Sequence, residues 1–374
     1  GTIAGKYADS TLLPLVNADV NFKNIRVQTD EYPKIDSINL TAHLANGEKV
    51  DMSKASILIS NLEIVSPDSY FQLEGNIVGM ENTQYNISSN LDLNLKEFER
   101  FIPDSLAQNL EGNIIASIST SGKLPSKIND EYVDYVMDNS TLSLIIRDVS
   151  SSLSDSIQVE GFSANINYSP QELGAKKIHI GNLNLKSSTL DLNLQNASLS
   201  AIINGNVSDP LKMSANIQSF NIQSGKSQIM AIGEVKNFET PEFDINTSII
   251  LNLEELMPFA PDSLIRNMTG WVKADIRSIG KINPDSLDAQ LFPLLFENSS
   301  FDLTFNNISL EFPDSIMNVD NISAQIGLKN DVLTIDNFSA KYNGLVLEMD
   351  SSEVHNIYKA VILNQKEELY VIIH

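Results

Sequence analysis

Four histidines, His43, His179, His355 and His374, are the side chains best suited to move a proton or bind a metal near neutral pH. They lie far apart, and none has another His, Asp or Glu at helical ligand spacing within a helical pattern. A solvated or strand-surface histidine is the plain reading of each. No G-x-S-x-G elbow occurs. Ser224-Gly225-Lys226-Ser227 resembles the end of a phosphate-binding loop, but the glycine such a loop needs five residues earlier is Phe220. With 48 Asp and Glu in 374 residues, carboxylates adjacent in sequence carry no information about glycosidic chemistry. The absence of cysteine excludes disulfides, thiolate metal sites and thiol nucleophiles, and is compatible with an oxidising compartment. The sequons at Asn206, Asn246 and Asn321 follow from the abundance of Asn and Ser. The expectation is therefore a protein that is not an enzyme, with no catalytic residue, cofactor or metal site.

The charge narrows the partners. A formal net charge of −23 and a pI near 4.4 argue against nucleic acid, because 25 basic residues are dispersed among the acidic ones. The same charge disfavours docking onto an anionic lipid surface. No apolar run is long enough to span a membrane. Hydrophobic residues make up 42% of the chain but aromatics only 7%, with Trp271 the sole tryptophan, so any apolar wall is expected to be aliphatic and poor in rings.

What the chain does show is alternation. Leu91, Leu93 and Leu95 flank Asp92 and Asn94; Leu142, Leu144 and Ile146 flank Ser143 and Ile145. Leu190, Leu192 and Leu194 flank Asp191 and Asn193, while Ile249, Leu251 and Leu253 form a further series. This is the period of a strand with one dry face and one wet face. Across Gln195-Asn196-Ala197-Ser198 the apolar parity switches, which requires a turn or a bulge. The pattern predicts strands of about 6–12 residues in an antiparallel meander. Short helices are expected over Leu95–Phe101 and Leu253–Phe259, with longer candidates over Asn129–Met137 and Ser286–Phe296. Pro-Asp-Ser recurs at residues 67–69, 103–105, 261–263, 284–286 and 313–315, and is read as turn chemistry rather than as an ion contact.

The alternation is organised by an internal repeat. Leu93–Leu124 recurs at Leu251–Ile282 without a gap, at a shift of 251 − 93 = 158. Pro103 meets Pro261, Gly112 meets Gly270, and Gly122-Lys123 meets Gly280-Lys281. Upstream, Gly75 meets Gly233; downstream, Asp155-Ser156-Ile157 meets Asp314-Ser315-Ile316. The repeat divides the chain into residues 1–83, the back half of a first unit; 84–241, a complete unit; and 242–374, most of a second copy. No firm globular boundary is expected, and the start at Gly1 without a methionine suggests a trimmed piece of a longer protein.

The paired segments Leu93–Leu106 and Leu110–Lys123, met again at Leu251–Leu264 and Met268–Lys281, resemble the C-terminal region of AsmA-like proteins. These are relatives of TamB among the bridge-like β-groove proteins of the bacterial envelope. The resemblance implies a mainly β fold: an elongated antiparallel sheet curled into a groove (β-taco-like), apolar inside, with a few short helices. It also implies an upstream membrane anchor and a periplasmic location. The role implied is handling or transferring phospholipid, or supporting outer-membrane assembly. The Asn- and Ser-rich acidic style is like that of Bacteroidetes envelope proteins. An apolar groove would shield an acyl chain without catalytic groups. Its candidate lining is Leu91, Leu93, Leu142, Leu144, Leu190, Leu192, Leu251 and Leu253. Three alternatives remain open: leucines packed on one another in a closed sandwich or a sheet covered by its own helices, a structural scaffold binding a partner at its sheet edges, and a secreted carbohydrate-active or adhesive β-protein, which would be expected to display more aromatic platforms.

Overall fold

The computed structural model describes residues 2–4, 15–28, 34–46, 52–79, 82–103, 108–124, 131–153, 157–187, 192–260, 265–282, 299–313, 318–329, 331–342, 344–356 and 370–373. The helix expected over Ser286–Phe296 and the candidate lining residue Leu190 lie outside the described residues. Within them the protein is mainly β. One α-helix, α1 (Glu131–Asp138), and several 3₁₀ turns accompany the strands. Helix formation at α1 agrees with the candidate at Asn129–Met137, and the two shorter candidates are 3₁₀ turns with the expected bounds, Leu95–Phe101 and Leu253–Phe259.

The chain forms two compact units, Gly1–Leu192 with Asn206–Ser208, and Asn193–Gly205 with Asp209–His374. The first carries β1 (Thr2–Ala4), β2 (Leu15–Val27), β3 (Ile35–Ala45), β4 (Ser56–Val65) and β5 (Tyr70–Val78). It continues with β6 (Gln84–Asn94), β7 (Gln108–Lys123), β8 (Ser140–Leu153), β9 (Ile157–Pro170) and β10 (Lys176–Ser187). The second is built from β11 (Leu192–Asn204), β12 (Ser214–Ser224), β13 (Ser227–Lys236), β14 (Glu242–Asn252) and β15 (Asn267–Lys281). After these come β16 (Ser299–Glu311), β17 (Val319–Lys329), β18 (Val332–Tyr342), β19 (Leu345–His355) and β20 (Tyr370–Ile373).

Inside each unit every strand pairs antiparallel with the next in sequence, as an alternating one-sided pattern demands. Neither ladder closes into a barrel. The elements recur with the sequence repeat: β6 and its following 3₁₀ turn at 84–101 map onto β14 and its turn at 242–259, both shifted by 158.

Interior strands run from 9 residues in β5 to 16 in β7, longer than alternation alone predicts. Bulges account for the difference, because they let a strand continue where its apolar parity switches. The bulge expected at Gln195–Ser198 is present, with Asn196 at φ +51°. Asn24, Asp148, Asn182, Asn307, Asn321 and Asn337 sit in the same left-handed conformation, at φ between +49° and +54°, beside register shifts in their strands. Asn and Asp enter that conformation more readily than other residues carrying a Cβ, which explains why this chain is so rich in asparagine within strands.

Three bulges use glycine instead, Gly161 at φ +97° and a pair related by the repeat. Gly112 and Gly270, equivalent in the repeat, have φ of +108° and +107°, and a Cβ on either would come within 2.7 Å of the neighbouring strand's backbone. Gly270→Ala is therefore expected to lower stability by more than about 1 kcal/mol, read as a lower urea midpoint with an unchanged slope. An alanine variant as stable as the parent would show that the bulge relaxes at no cost.

Candidate functional site

Direct cross-strand partners share a face, so register alone assembles the site. In the first unit one row runs Ile25, Ile38, Ile64, Phe71, Leu91, Ala116, Leu144, Ile166, Ile180 from β2 to β10. All nine are apolar. At about 4.8 Å per strand the row measures about 38 Å along the sheet. Beside it runs a second row, Phe22, Leu40, Leu62, Leu73, Ser89, Ile118, Leu142, Tyr168, Ile178. The opposite face is wet: Asn39, Glu63, Gln72, Asn90, Ser117, Ser143, Asn167 and His179 are partners in the same way. In the second unit Leu199, Phe220, Ala231, Thr247, Ile276, Phe301, Leu328, Leu333, Val354 and Val371 form one row across β11 to β20.

The register thus brings Leu91, Leu93, Leu142 and Leu144 onto one face of the first unit, with Leu93 opposite Ile114 and Ile146 in line with it. Leu251 takes the matching place in the second unit, opposite Val272 and in line with Phe305. Leu253 stands outside the ladder as the first residue of its 3₁₀ turn. Leu192 begins β11. The expectation of ring-poor walls is corrected: five of the fifteen phenylalanines, Phe22, Phe71, Phe220, Phe301 and Phe305, lie in these apolar rows. Low aromatic content overall did not predict where the rings collect.

This face is not packed away. Among the described residues only fifteen apolar side chains are buried, and eight of those are alanine. Leu91, Leu93, Leu142, Leu144 and Leu251 are half-buried, and Phe22, Ile25 and Ile118 are exposed. A closed sandwich would bury these large side chains, so within the described residues the leucines are not packed on one another across two layers.

One end of the first unit's face is partly roofed. After β6, Asn94 caps the 3₁₀ turn Leu95–Phe101 by accepting from the Lys96 N–H at 3.0 Å. The turn's Glu97 then reaches the β4–β5 hairpin, Pro67-Asp68-Ser69, accepting from Ser66 Oγ at 2.6 Å, Ser69 Oγ at 2.5 Å and the Asp68 N–H at 2.9 Å. The repeat rebuilds this clasp: Glu255 accepts from the Lys226 N–H at 2.5 Å and the Ser227 N–H at 3.1 Å, in the β12–β13 hairpin. The segment that resembles a phosphate loop is therefore a hairpin turn whose amides already hold a carboxylate. Of the Pro-Asp-Ser segments, only that at 67–69 lies wholly among the described residues, and it is a turn. Sequence reasoning missed both glutamates, although their identical place in the two copies was a usable signal.

Beneath the roof lies a hollow of about 370 Å³. Val27, Ile35, Ile64, Phe71, Leu91, Leu93 and Phe98 wall it, with Ser66, Ser69 and Tyr70 at the hairpin end. A larger hollow of about 480 Å³ in the second unit lies mostly on the polar face, around Met230, Ser248, Asp275, Arg277 and Asp302.

At the other end of the first unit, α1 carries a buried polar cluster. Lys176, almost wholly buried at 1% exposure, reaches Asp138 at 2.8 Å and the Gly174 carbonyl at 3.2 Å. Asp134 accepts from the Val207 N–H at 2.5 Å and from Ser208 Oγ at 2.6 Å. Tyr168 donates to the Met137 carbonyl at 2.8 Å; burial first, then the charges of Asp138 and Asp134, push its phenol up to about 12. The cluster thus neutralises a lysine whose strand position is in phase with Ile178. The histidines form no common site: His43 pairs with Asp19 at 2.7 Å, His355 with Glu353 at 3.0 Å, and His179 lies in the polar row, while His374 is outside the described residues. No described helix is long and apolar enough to cross a membrane.

Comparison with protein-family models, with curated proteins and with solved structures finds no match to this chain. The functional reading therefore rests on the geometry of the face itself.

The clasps carry a pH signature. Burial pushes the Glu97 carboxyl up, but the hydrogen bonds from Ser66, Ser69 and the Asp68 N–H outweigh it and hold the group below the usual glutamate value of 4.5. A lowered carboxyl pKa adds stability above that value and loses it as pH falls through the folded one. Glu97→Gln is expected to cost on the order of 1–2 kcal/mol at neutral pH and to flatten the loss of stability on acidification. Urea unfolding of parent and variant at neutral and acid pH reads both, and identical acid limbs would remove the clasp from the account.

Proposed function

We propose that this chain is a non-enzymatic segment of an envelope protein that carries phospholipid acyl chains along the apolar face of its sheet. The carrying observation is the pair of cross-strand rows in the first unit, which hold no ionised side chain although the whole chain bears −23. Evolution of a purely structural face would bury it; here large apolar groups stay half open. Each methylene laid on such a surface gains roughly 0.8 kcal/mol on leaving water, so a tail is held without specific contacts and can slide. The resemblance to AsmA-like proteins supports a periplasm-facing address and an anchor upstream in the parent protein. In this reading the polar wet face and the chain's net charge of −23 keep the sheet soluble and away from anionic headgroups, so that the dry face engages tails alone.

Extraction of lipid from the purified chain, followed by mass spectrometry, tests the proposal together with uptake of a fluorescent phospholipid. Bound phospholipid and saturable uptake are expected, and Leu144→Glu, which sets a carboxylate in the middle of the row, is expected to lower uptake about tenfold or more while the sheet's circular dichroism is kept. A chain recovered free of lipid that takes up no probe overturns the reading in favour of a scaffold binding a partner at its sheet edges.

A further inference from the structure

We infer that the hollow beneath the 3₁₀ turn Leu95–Phe101 is an end-stop at the strand-end margin of the face, a subsite that takes the methyl end of an acyl chain. The inference deepens the lipid-carrying reading and rests on it. Three observations converge. The hollow of about 370 Å³ has room for about a dozen water-sized groups at roughly 30 Å³ each, a run of methylenes rather than a whole phospholipid. Its position is at the strand-end margin of the face: Leu91 and Leu93 are the last apolar residues of β6, and Phe98 on the following turn stands among the walls just beyond them.

The third observation is charge and hydrogen bonding. No ionised residue lines the hollow. Glu97, next to Phe98 on the turn, is engaged by the hairpin, and so are the two serine hydroxyls. Ser69 Oγ donates to Glu97 at 2.5 Å and accepts from the Asn94 N–H at 2.9 Å; Ser66 Oγ donates to Glu97 at 2.6 Å and accepts from the Ser69 N–H at 3.2 Å. A ligand with a headgroup, a hydroxyl or a peptide bond would lose its water there and recover little, whereas a hydrocarbon end loses nothing. The neutral walls are complementary to the uncharged end of a lipid and to no other part of it. The second unit repeats the clasp without the same walls: at a shift of 158, Phe71 and Phe98 become Ile229 and Leu256.

The test uses the full chain with Trp271→Phe, so that a single tryptophan placed by Phe98→Trp reports on the hollow. The probe is phosphatidylcholine brominated either near the methyl end or near the carbonyl end of its acyl chains. Methyl-end bromines are expected to quench most of the emission and carbonyl-end bromines little of it. Separately, Phe98→Ala is expected to weaken uptake about tenfold by removing one wall. Should the Phe98→Trp variant fail to fold, Leu93→Trp on the opposite wall reads the same difference. Equal quenching by both lipids, stronger quenching by the carbonyl-end lipid, or bound lipid without quenching overturns the end-stop and leaves the lipid-carrying face standing. A chain that binds neither lipid overturns both.

Discussion

A sheet of nine long antiparallel strands keeps one dry face only if every strand stays in phase with its neighbours. Side chains alternate with period two, so a slip of one residue anywhere would turn a whole row of leucines into water and bring asparagines inward. In the first unit this requirement is met across nine strands without a single ionised residue entering the two rows through Leu91 and Leu142. The bulges are the device that makes such length affordable. Many of them place one residue in a left-handed Asn, Asp or Gly, which resets the parity and bends the strand. The uniform φ of the asparagine bulges, all near +50°, shows one solution used repeatedly rather than a set of accidents.

The same economy governs the ends of the strands. Glu97 and Glu255 perform one task on hairpins of different sequence, Pro67-Asp68-Ser69 in one copy and Gly225-Lys226-Ser227 in the other. What the copies share is the geometry of backbone N–H groups facing a carboxylate, with Asn94 and Asn252 capping the 3₁₀ turn that presents it. Glu97 and Glu255 are thus directed into turns, and Glu63 lies in the polar row of the opposite face. A chain this acidic can still own an uncharged surface because strand alternation sorts side chains by face with little regard to overall composition.

Much of this was open to a reader of the linear chain. The alternation at Leu91–Leu95 and Leu142–Ile146 marked strands and their dry side, the parity switch at Gln195–Ser198 marked a bulge, and proline after Phe101 and Phe259 bounded the short turns. The hollow itself was only half legible. Leu91 and Leu93 were in view, but Ile64, Phe71 and Val27 belong to other strands, and nothing local to any of them announces a shared cavity. Lys176 was invisible as a buried group, because its burial comes from α1, folded back from about forty residues earlier in the chain.

The sequence by itself determined the class of structure, the dry side of the strands with clear alternation, the bulge at Gln195–Ser198 and the recurrence of the whole scheme, since all of these follow from period-two alternation and from the backbone preferences of Asn, Gly and Pro. Only the tertiary structure decided which strands lie side by side, and hence that isolated leucines join into unbroken rows, that two glutamates clasp hairpins about thirty residues away, and that a ring at Phe98 walls a cavity. The reason is physical: alternation is written within each strand, whereas register and burial are properties of pairs of strands that share no local signal.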